Sequence, residues 1–431
     1  MGSSGRHTQP WHLIRLPGGR SPRALGAIAA QFSQALGSFL FQLLAARNLS
    51  LEAFGVFALL LSGIVLATGI MTGFVGDSLT VLDRGDGGIR AGLQVWCLTI
   101  AAITLVCGAV VGLRSGAIGT TAALLFGAAL AAWVIEDTVR RLLMANLRFW
   151  SVVAVDLSHL AVAVAVLGAA AVLHGRLVLE DFLLALILGQ LSAIVVGLGL
   201  APATERRLAS WRSPALGAVA RFGFWRGTQQ GIRPATLTVA RLLVVVVAGK
   251  AAVGQLEAAR VYMAPALLVV QGVGSFLLAS YAASRQESIR RAVRRADKAA
   301  IVLVGASLAI GAVATLSVRW AGSLITGDAY DIDPVAVAGW ATFSASVAAV
   351  MPYASLAAVR GRQILVVLLR LADAALSIGT VAVALWALDL DPAVTPFGIA
   401  AGAFAGALLQ RRAALSAGTD SAAERVGDPA R

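Results

Sequence analysis

Residues 221–284 read RFGFWRGTQQGIRPATLTVARLLVVVVAGKAAVGQLEAARVYMAPALLVVQGVGSFLLASYAAS, two long apolar runs joined by the short turn Gly249-Lys250-Ala251-Ala252-Val253-Gly254. Each run exceeds the roughly 20 helical residues that cross the hydrocarbon core of a bilayer. The stretch therefore predicts a transmembrane helical hairpin. Four ionisable residues, Arg233, Arg241, Glu257 and Arg260, lie inside the runs. At that depth an ionisable group is costly and faces a cavity or a partner, so a function is to be sought here first.

The rest of the chain is of the same kind. Of 431 residues 58% are hydrophobic and 13% charged, and the mean hydropathy is +0.83, a composition foreign to soluble globular domains. Apolar runs fall at about 24–46, 55–82, 91–113, 117–139, 149–173 and 181–203, then at 226–248, 254–284, 299–318, 335–357, 363–386 and 396–410. The fold class predicted is an all-α polytopic membrane protein, about twelve transmembrane helices in two six-helix lobes around a central cavity. Around them we expect a cytoplasmic basic arm at 1–22, an N-terminal lobe at 23–203, a cytoplasmic interfacial linker at 204–225, a C-terminal lobe at 226–412 and a disordered cytoplasmic tail at 413–431. The Ala215-Leu216-Val219-Phe222 spacing in the linker suits a helix lying at the membrane interface.

Charge placement orients the chain. With the N-terminus inside, segments on the cytoplasmic side hold 26 of the 35 Lys and Arg, and the outer loops hold five: Arg47, Arg114, Arg176, Lys250 and Arg319. This is the positive-inside bias of a multi-pass protein of the cytoplasmic membrane with both termini in the cytoplasm. It also accounts for the net charge of +13 without a nucleic-acid partner. Cys97 and Cys107, ten positions apart on one span, lie about 15 Å apart along a helix and cannot bridge. His7, His12, His159 and His174 form no metal-ligand spacing, and no phosphate-cradling glycine loop is present, so neither a metal nor a cofactor is implied. A weak internal repeat pairs LLAARNLSLEAFGVFALLL with VVVVAGKAAVGQLEAARVY, placing Gly55 opposite Gly254, 199 residues on.

Five pieces, LLAARNLSLEAFGVFALLL (43–61), ARFGFWRGTQQ (220–230), AGKAAVGQLEAARVY (248–262), SLITGDAYDID (323–333) and AAVRGRQ (357–363), carry a resemblance. In their order and spacing the chain resembles the Wzx-like polysaccharide-export flippases of the multidrug/oligosaccharidyl-lipid/polysaccharide superfamily. The resemblance implies an alternating-access flippase, not an enzyme, that moves a polyprenyl-(pyro)phosphate-linked saccharide to the outer leaflet. It implies as partners that lipid-linked substrate, membrane lipids and the polymerases or glycosyltransferases of polysaccharide synthesis.

The residues are compatible with such a cargo. Arg233 and Arg241, about 80° and 12 Å apart on one helix, flank a single quadrant, and Glu257 and Arg260 share a face near the depth of Arg241. The expected substrate site is Arg233, Arg241, Arg260 and Glu257, and the rival reading is a hairpin held together by its own ion pairs. Asp156 and His159, three apart in an apolar helix, are the residues for a proton relay or coupling-cation site, with Asp77, beside Gly73 and Gly76, a third. Glu136, Asp137, Arg140 and Arg141 read as two i,i+4 pairs on a solvated helix end, and Arg370 with Asp373 as a structural pair. A drug/cation antiporter would call for buried carboxylates and aromatics, whereas aromatic residues are 6% and the excess buried charge is positive. A membrane glycosyltransferase would need acids on an outer loop, where Asp328, Asp331 and Asp333 are available. The topology makes a prediction: single cysteines at Ser50, Gly116, Gly175 or Ala252 react with an impermeant thiol reagent added outside, and one at Ser213 does not.

Overall fold

The computed structural model describes residues 22–206, 213–283, 289–327, 329–360 and 363–426, and no β-strand occurs among them. The first half consists of α1 (Pro22–Asn48), α2 (Leu51–Val81, with a π-helical turn at Thr72–Gly76), α3 (Gly87–Ser115), α4 (Thr120–Ala145), α5 (Phe149–His174) and α6 (Leu179–Leu200). Their ends are chemically marked. The Ser50 hydroxyl accepts from the Ala53 amide at the start of α2, and the Asp86 carboxylate from the Gly88 amide at the start of α3. Gly116 and Gly175 close α3 and α5 at φ 62 and 71, a left-handed turn that costs glycine nothing.

From Leu216 to Ala283 the backbone is helical for 68 residues except at Gly249, where φ is 82 and ψ −179. A straight helix of that length would span about 100 Å, several bilayer cores. An ion pair shows that it is not straight: Arg241 Nη2 and Glu257 Oε1 lie 2.5 Å apart, whereas sixteen residues along one helix are separated by about 24 Å. The chain therefore reverses at Gly249 and forms the expected hairpin, α7 (216–248) and α8 (250–283). After it come α9 (Ile289–Ala321), α10 (Pro334–Arg360), α11 (Gln363–Ala382, followed by a π-helical turn at Val383–Ala387) and α12 (Thr395–Val426). Among the described residues eleven stretches are long and apolar enough to cross a membrane. One of them, the 49-residue Leu216–Ala264, contains the reversal, which is how twelve expected spans meet eleven such stretches.

Two expectations change. The residues expected to form an interfacial helix are, among the described residues, the start of the seventh helix: α7 begins at Leu216 and runs on without a break, with Val219 buried against Gly92 and the Trp96 indole donating to the Leu216 carbonyl. The tail expected to be disordered from 413 is helical to Val426. The basic arm lies outside the described residues except for its last position.

The helices form two lobes. In the first, α3 packs on α4, α4 and α5 on α6, and α1 on α5; in the second, α10 packs on α9 and α12, and α11 on α12. The lobes meet where α2 runs antiparallel along the hairpin. A Cβ added at Gly73 would fall on the Arg226 carbonyl, one at Gly69 would reach the Gln230 carbonyl, and one at Gly55 would fall on the Lys250 carbonyl. Bare backbones thus touch along most of the span, the close approach that small residues permit between membrane helices. At one end the contact is reciprocal. Gly55 abuts the Lys250 carbonyl and Gly254 abuts the Leu51 carbonyl, and Leu51 and Lys250 are, like Gly55 and Gly254, 199 positions apart. Such an exchange is what a local two-fold axis produces, and it lies where the weak sequence repeat puts it.

The glycine contacts make opposite predictions for one substitution. Gly55→Ala and Gly254→Ala force backbone apart and destabilise by about 1–3 kcal/mol or more. Gly168→Ala, where nothing lies within 4 Å of the added methyl, is neutral or stabilising by up to about 1 kcal/mol. Thermal unfolding of the three variants in detergent gives the comparison.

Candidate functional site

Reversal at Gly249 places Arg241 and Glu257, each eight residues from the turn, side by side. Glu257 is 2% exposed and uses both oxygens: Arg241 Nε donates to Oε1 at 2.6 Å and Arg260 Nε to Oε2 at 2.5 Å. Arg260 also donates through Nη2 to the Gln42 side chain of α1, across the lobes. At the same end Tyr330 donates to the Ala46 carbonyl at 3.1 Å, Gln255 to the Asp331 carbonyl at 2.6 Å, and Lys250 pairs with Glu52 at 3.7 Å. These contacts close the end of the bundle that carries the Gly249 turn.

Arg233 does not join that cluster. It is exposed although it lies in the middle of a span, and its guanidinium sits 5.6 Å over the Phe343 ring of α10. Arg370 and Asp373 of α11 are its charged neighbours. No hydrogen bond or salt bridge engages Arg233 among the described residues. Arg370 is not paired with Asp373 as expected: its Nη1 donates to the Gln229 carbonyl at 2.9 Å, and Asp373 accepts from the Ser377 hydroxyl at 3.4 Å. Asp77 lies within this neighbourhood through Arg226, which reaches it from α7 at 2.6 Å and also touches Gln229. Around the hairpin, then, five guanidiniums (Arg226, Arg233, Arg241, Arg260, Arg370) face three carboxylates (Asp77, Glu257, Asp373).

The N-terminal lobe holds a second polar cluster. Asp156 accepts from Arg140 Nε at 3.0 Å and from the Ser33 hydroxyl at 2.5 Å, and Arg140 also donates to the Ala30 carbonyl at 2.9 Å. His159 stands edge-on to Trp133 with ring centroids 6.0 Å apart, and its Nδ1 lies against Gly189 of α6. Among the described residues no hydrogen bond joins Asp156 to His159: the first is held by Arg140 and Ser33, the second lies against Trp133. The expectation of a solvated end on α4 is overturned: Glu136, Asp137 and Arg140 are 7%, 2% and 3% exposed. Arg141 does pair with Asp137 at 2.7 Å, as the i,i+4 spacing predicts, and Thr72 adds a hydrogen bond at 3.0 Å. Arg140, however, turns to Asp156 of the next helix and leaves Glu136. What the sequence reading lacked here was the partner helix: the spacing on α4 was visible, and the facing carboxylate on α5 was not.

No group of metal-ligating side chains occurs among the described residues. No family model matches the chain, and no curated protein matches it in sequence. Solved structures do match in fold. A multidrug resistance MATE family transporter of the MOP superfamily in its inward-facing conformation superposes with a TM-score of 0.67 at 15% identity, covering 93% of this chain and 96% of its own. The outward-facing conformation of such a transporter gives 0.62 at 14% identity over the same shares. A MOP superfamily transporter from Pyrococcus furiosus, described as having a binding pocket of reverse polarity, gives 0.61 at 12% identity, covering 92% and 94%. The chain has the two-lobed, all-helical fold of the MATE transporters.

The clamp around Glu257 makes a stability prediction. Glu257→Gln leaves two half-buried guanidiniums facing no carboxylate and is expected to cost up to about 3 kcal/mol, read as lost membrane abundance and a lower melting temperature. Adding Arg241→Ala to it removes one orphaned charge and recovers part of both.

Proposed function

We propose that the protein is an alternating-access transporter of the cytoplasmic membrane, and that its cargo is a polyprenyl-(pyro)phosphate-linked saccharide moved from the inner to the outer leaflet for cell-envelope polysaccharide synthesis. The observation that carries the cargo is the surplus of guanidiniums over carboxylates around the hairpin, with Arg233 exposed and bound to no acceptor among the described residues. A saccharide head group cannot cross hydrocarbon unaided, because its polar groups would lose water without replacement. Fixed cations inside a bundle supply that replacement for the phosphate. Arginine suits the task, since its planar fork donates two parallel hydrogen bonds to a phosphate. Arg233, with Arg241 and Arg260 once they loosen from Glu257, would hold the phosphates, and Arg370 would add to them from α11. The topology read from the charges puts the closed, Gly249-bearing end outside, so cargo would enter from the cytoplasm.

The MATE fold favours a second reading, a drug/cation antiporter, because solved proteins of this fold are described as multidrug resistance transporters. A cationic cargo would meet a like-charged interior, which costs affinity rather than adding to it. An enzyme acting on the same lipids finds no comparable support in the fold.

Proteoliposomes separate these readings. With a fluorescent polyprenyl-pyrophosphate-linked saccharide in the bilayer, the purified protein should make the inner-leaflet label accessible to an impermeant quencher. Arg233→Ala and Arg370→Ala should each slow this about tenfold or more, the loss of one charge-assisted hydrogen bond of about 1.5–3 kcal/mol. Transport of a cationic dye with no effect on the saccharide lipid would replace this reading by the antiporter.

A further inference from the structure

At the end of the first lobe that the charge count places in the cytoplasm, arginines have protein acceptors. Arg84 faces Glu205 at 3.5 Å, Arg90 donates to the Thr204 carbonyl, Arg148 to the Leu200 carbonyl and Arg206 to the Ala201 carbonyl. The same end of the second lobe differs. Between Arg285 and Lys298 the chain carries six cations and two acids. One of those acids, Asp297, is turned to its neighbours: Arg411 of α12 donates to it through Nε at 2.8 Å and Nη2 at 2.9 Å, and the Tyr353 hydroxyl of α10 donates to it at 2.6 Å. Arg295 lies 5.0 Å over the Tyr281 ring. Arg290, Arg291, Arg294 and Lys298 stand exposed on the first three turns of α9, and among the described residues no hydrogen bond or ion pair engages them.

The face they occupy continues into the lipid-facing side of the span. Ala292, Val293, Ala296 and Ala300 are 7% exposed or less and pack inward. Arg291, Arg294 and Lys298 follow one another at three and four residues, the spacing of one helix face. The same steps lead on through Val302, Val313 and Leu316 to Trp320, which are 67–81% exposed. From Lys298 to Trp320 the helix rises about 33 Å, close to the roughly 30 Å of a hydrocarbon core, and tryptophan is a residue of the membrane interface. The cations therefore stand at the headgroup level of the inner leaflet, directly beyond the acyl chains that cover Val302. On α12 Arg412 repeats the arrangement, four residues past Leu408 and exposed like it.

We propose that this face of α9 binds the headgroups of anionic phospholipids of the inner leaflet, and that they hold the second lobe through the knot that Asp297, Arg411 and Tyr353 tie between α9, α10 and α12. Each cation beside an anionic membrane surface adds on the order of fivefold to binding. Asp297, the one acid among the described residues of this segment, is committed to Arg411 and does not repel the phosphates. The proposal rests on the membrane-spanning fold and on the topology read from the charges, and not on the saccharide cargo.

The test contains no cargo, so it fails or succeeds separately from the saccharide reading. The full-length protein in uncharged detergent is melted while phosphatidylglycerol or phosphatidylcholine is titrated in. Phosphatidylglycerol should raise the melting temperature of the wild type at a concentration about tenfold or more below that needed of phosphatidylcholine, and inorganic phosphate should give no such rise. Arg291→Gln/Arg294→Gln/Lys298→Gln should lose the preference. Arg291→Lys/Arg294→Lys, which keeps the charge, and Arg114→Gln/Arg319→Gln, at the opposite end of the bundle, should keep it. Native mass spectra of the same proteins in an equal mixture of the two lipids read the preference without unfolding, a second route if the triple variant melts poorly. Equal response to the two lipids, an equal rise with inorganic phosphate, or a preference that survives in the triple variant overturns the inference. So does a dimer that depends on these cations, which would give the face to a second copy of the chain.

Discussion

Two helix backbones can touch only where no Cβ stands between them, and in this protein that condition is met along the line where α2 meets the α7–α8 hairpin. Gly55, Gly69, Gly73 and Gly254 each face a carbonyl or backbone atom of the other helix. In a bilayer, lipid tails are as apolar as leucine, so hydrophobic burial does little to hold helices together, and close packing of this kind takes over. The two lobes are joined along this line and are otherwise bridged by side chains, among them Arg260 to Gln42 and Tyr330 to Ala46. A joint of backbone is stiff along its length and has no side chains to rearrange. Side-chain bridges at the end of the bundle can be broken one at a time.

Charge is distributed unequally over this frame. In the polar cluster of the N-terminal lobe three acids stand against two bases, in the hairpin and α11 bases outnumber acids, and Asp77, Asp137, Asp156, Glu257 and Asp373 each have a donor among the described residues. Desolvation explains why such groups meet in clusters: an ion taken out of water must find its partner inside the protein, and a partner shared between two ions is still cheaper than none. Glu257, held by two arginines, and Arg140, within reach of two carboxyls, are the two versions of that sharing.

Much of the fold was legible in the chain. Apolar runs of bilayer length and glycine at 249 predict the hairpin, and the repeat with its 199-residue offset predicts that Gly55 and Gly254 are equivalent; that they also touch could not be read. The partners of the charges were much less legible. Spacing along one helix reveals Arg141 with Asp137, but Arg226 finds Asp77 149 positions away and Arg260 finds Gln42 218 positions away, and no local pattern encodes either. Glu136 and Arg140 were misplaced for the same reason, since an i,i+4 spacing states what two residues can do and not what a neighbouring helix offers instead. At the C-terminus the small polar residues after Ala413 suggested disorder, whereas the alanines among them are the best of helix formers.

The ion pair across the Gly249 turn bears on how the protein is made. Arg241 is synthesised sixteen residues before Glu257, so for that interval α7 carries an arginine with no carboxylate to meet. An arginine at the centre of a membrane helix costs about 2.5–3.5 kcal/mol on translocon scales, and less toward its ends. The part of that cost due to Arg241 is offset once α8 arrives and brings Glu257. Membrane entry of α7 alone is thus penalised, and entry of the two helices as one pre-paired unit is favoured, which makes the position of Glu257 a matter of biogenesis as much as of the finished structure.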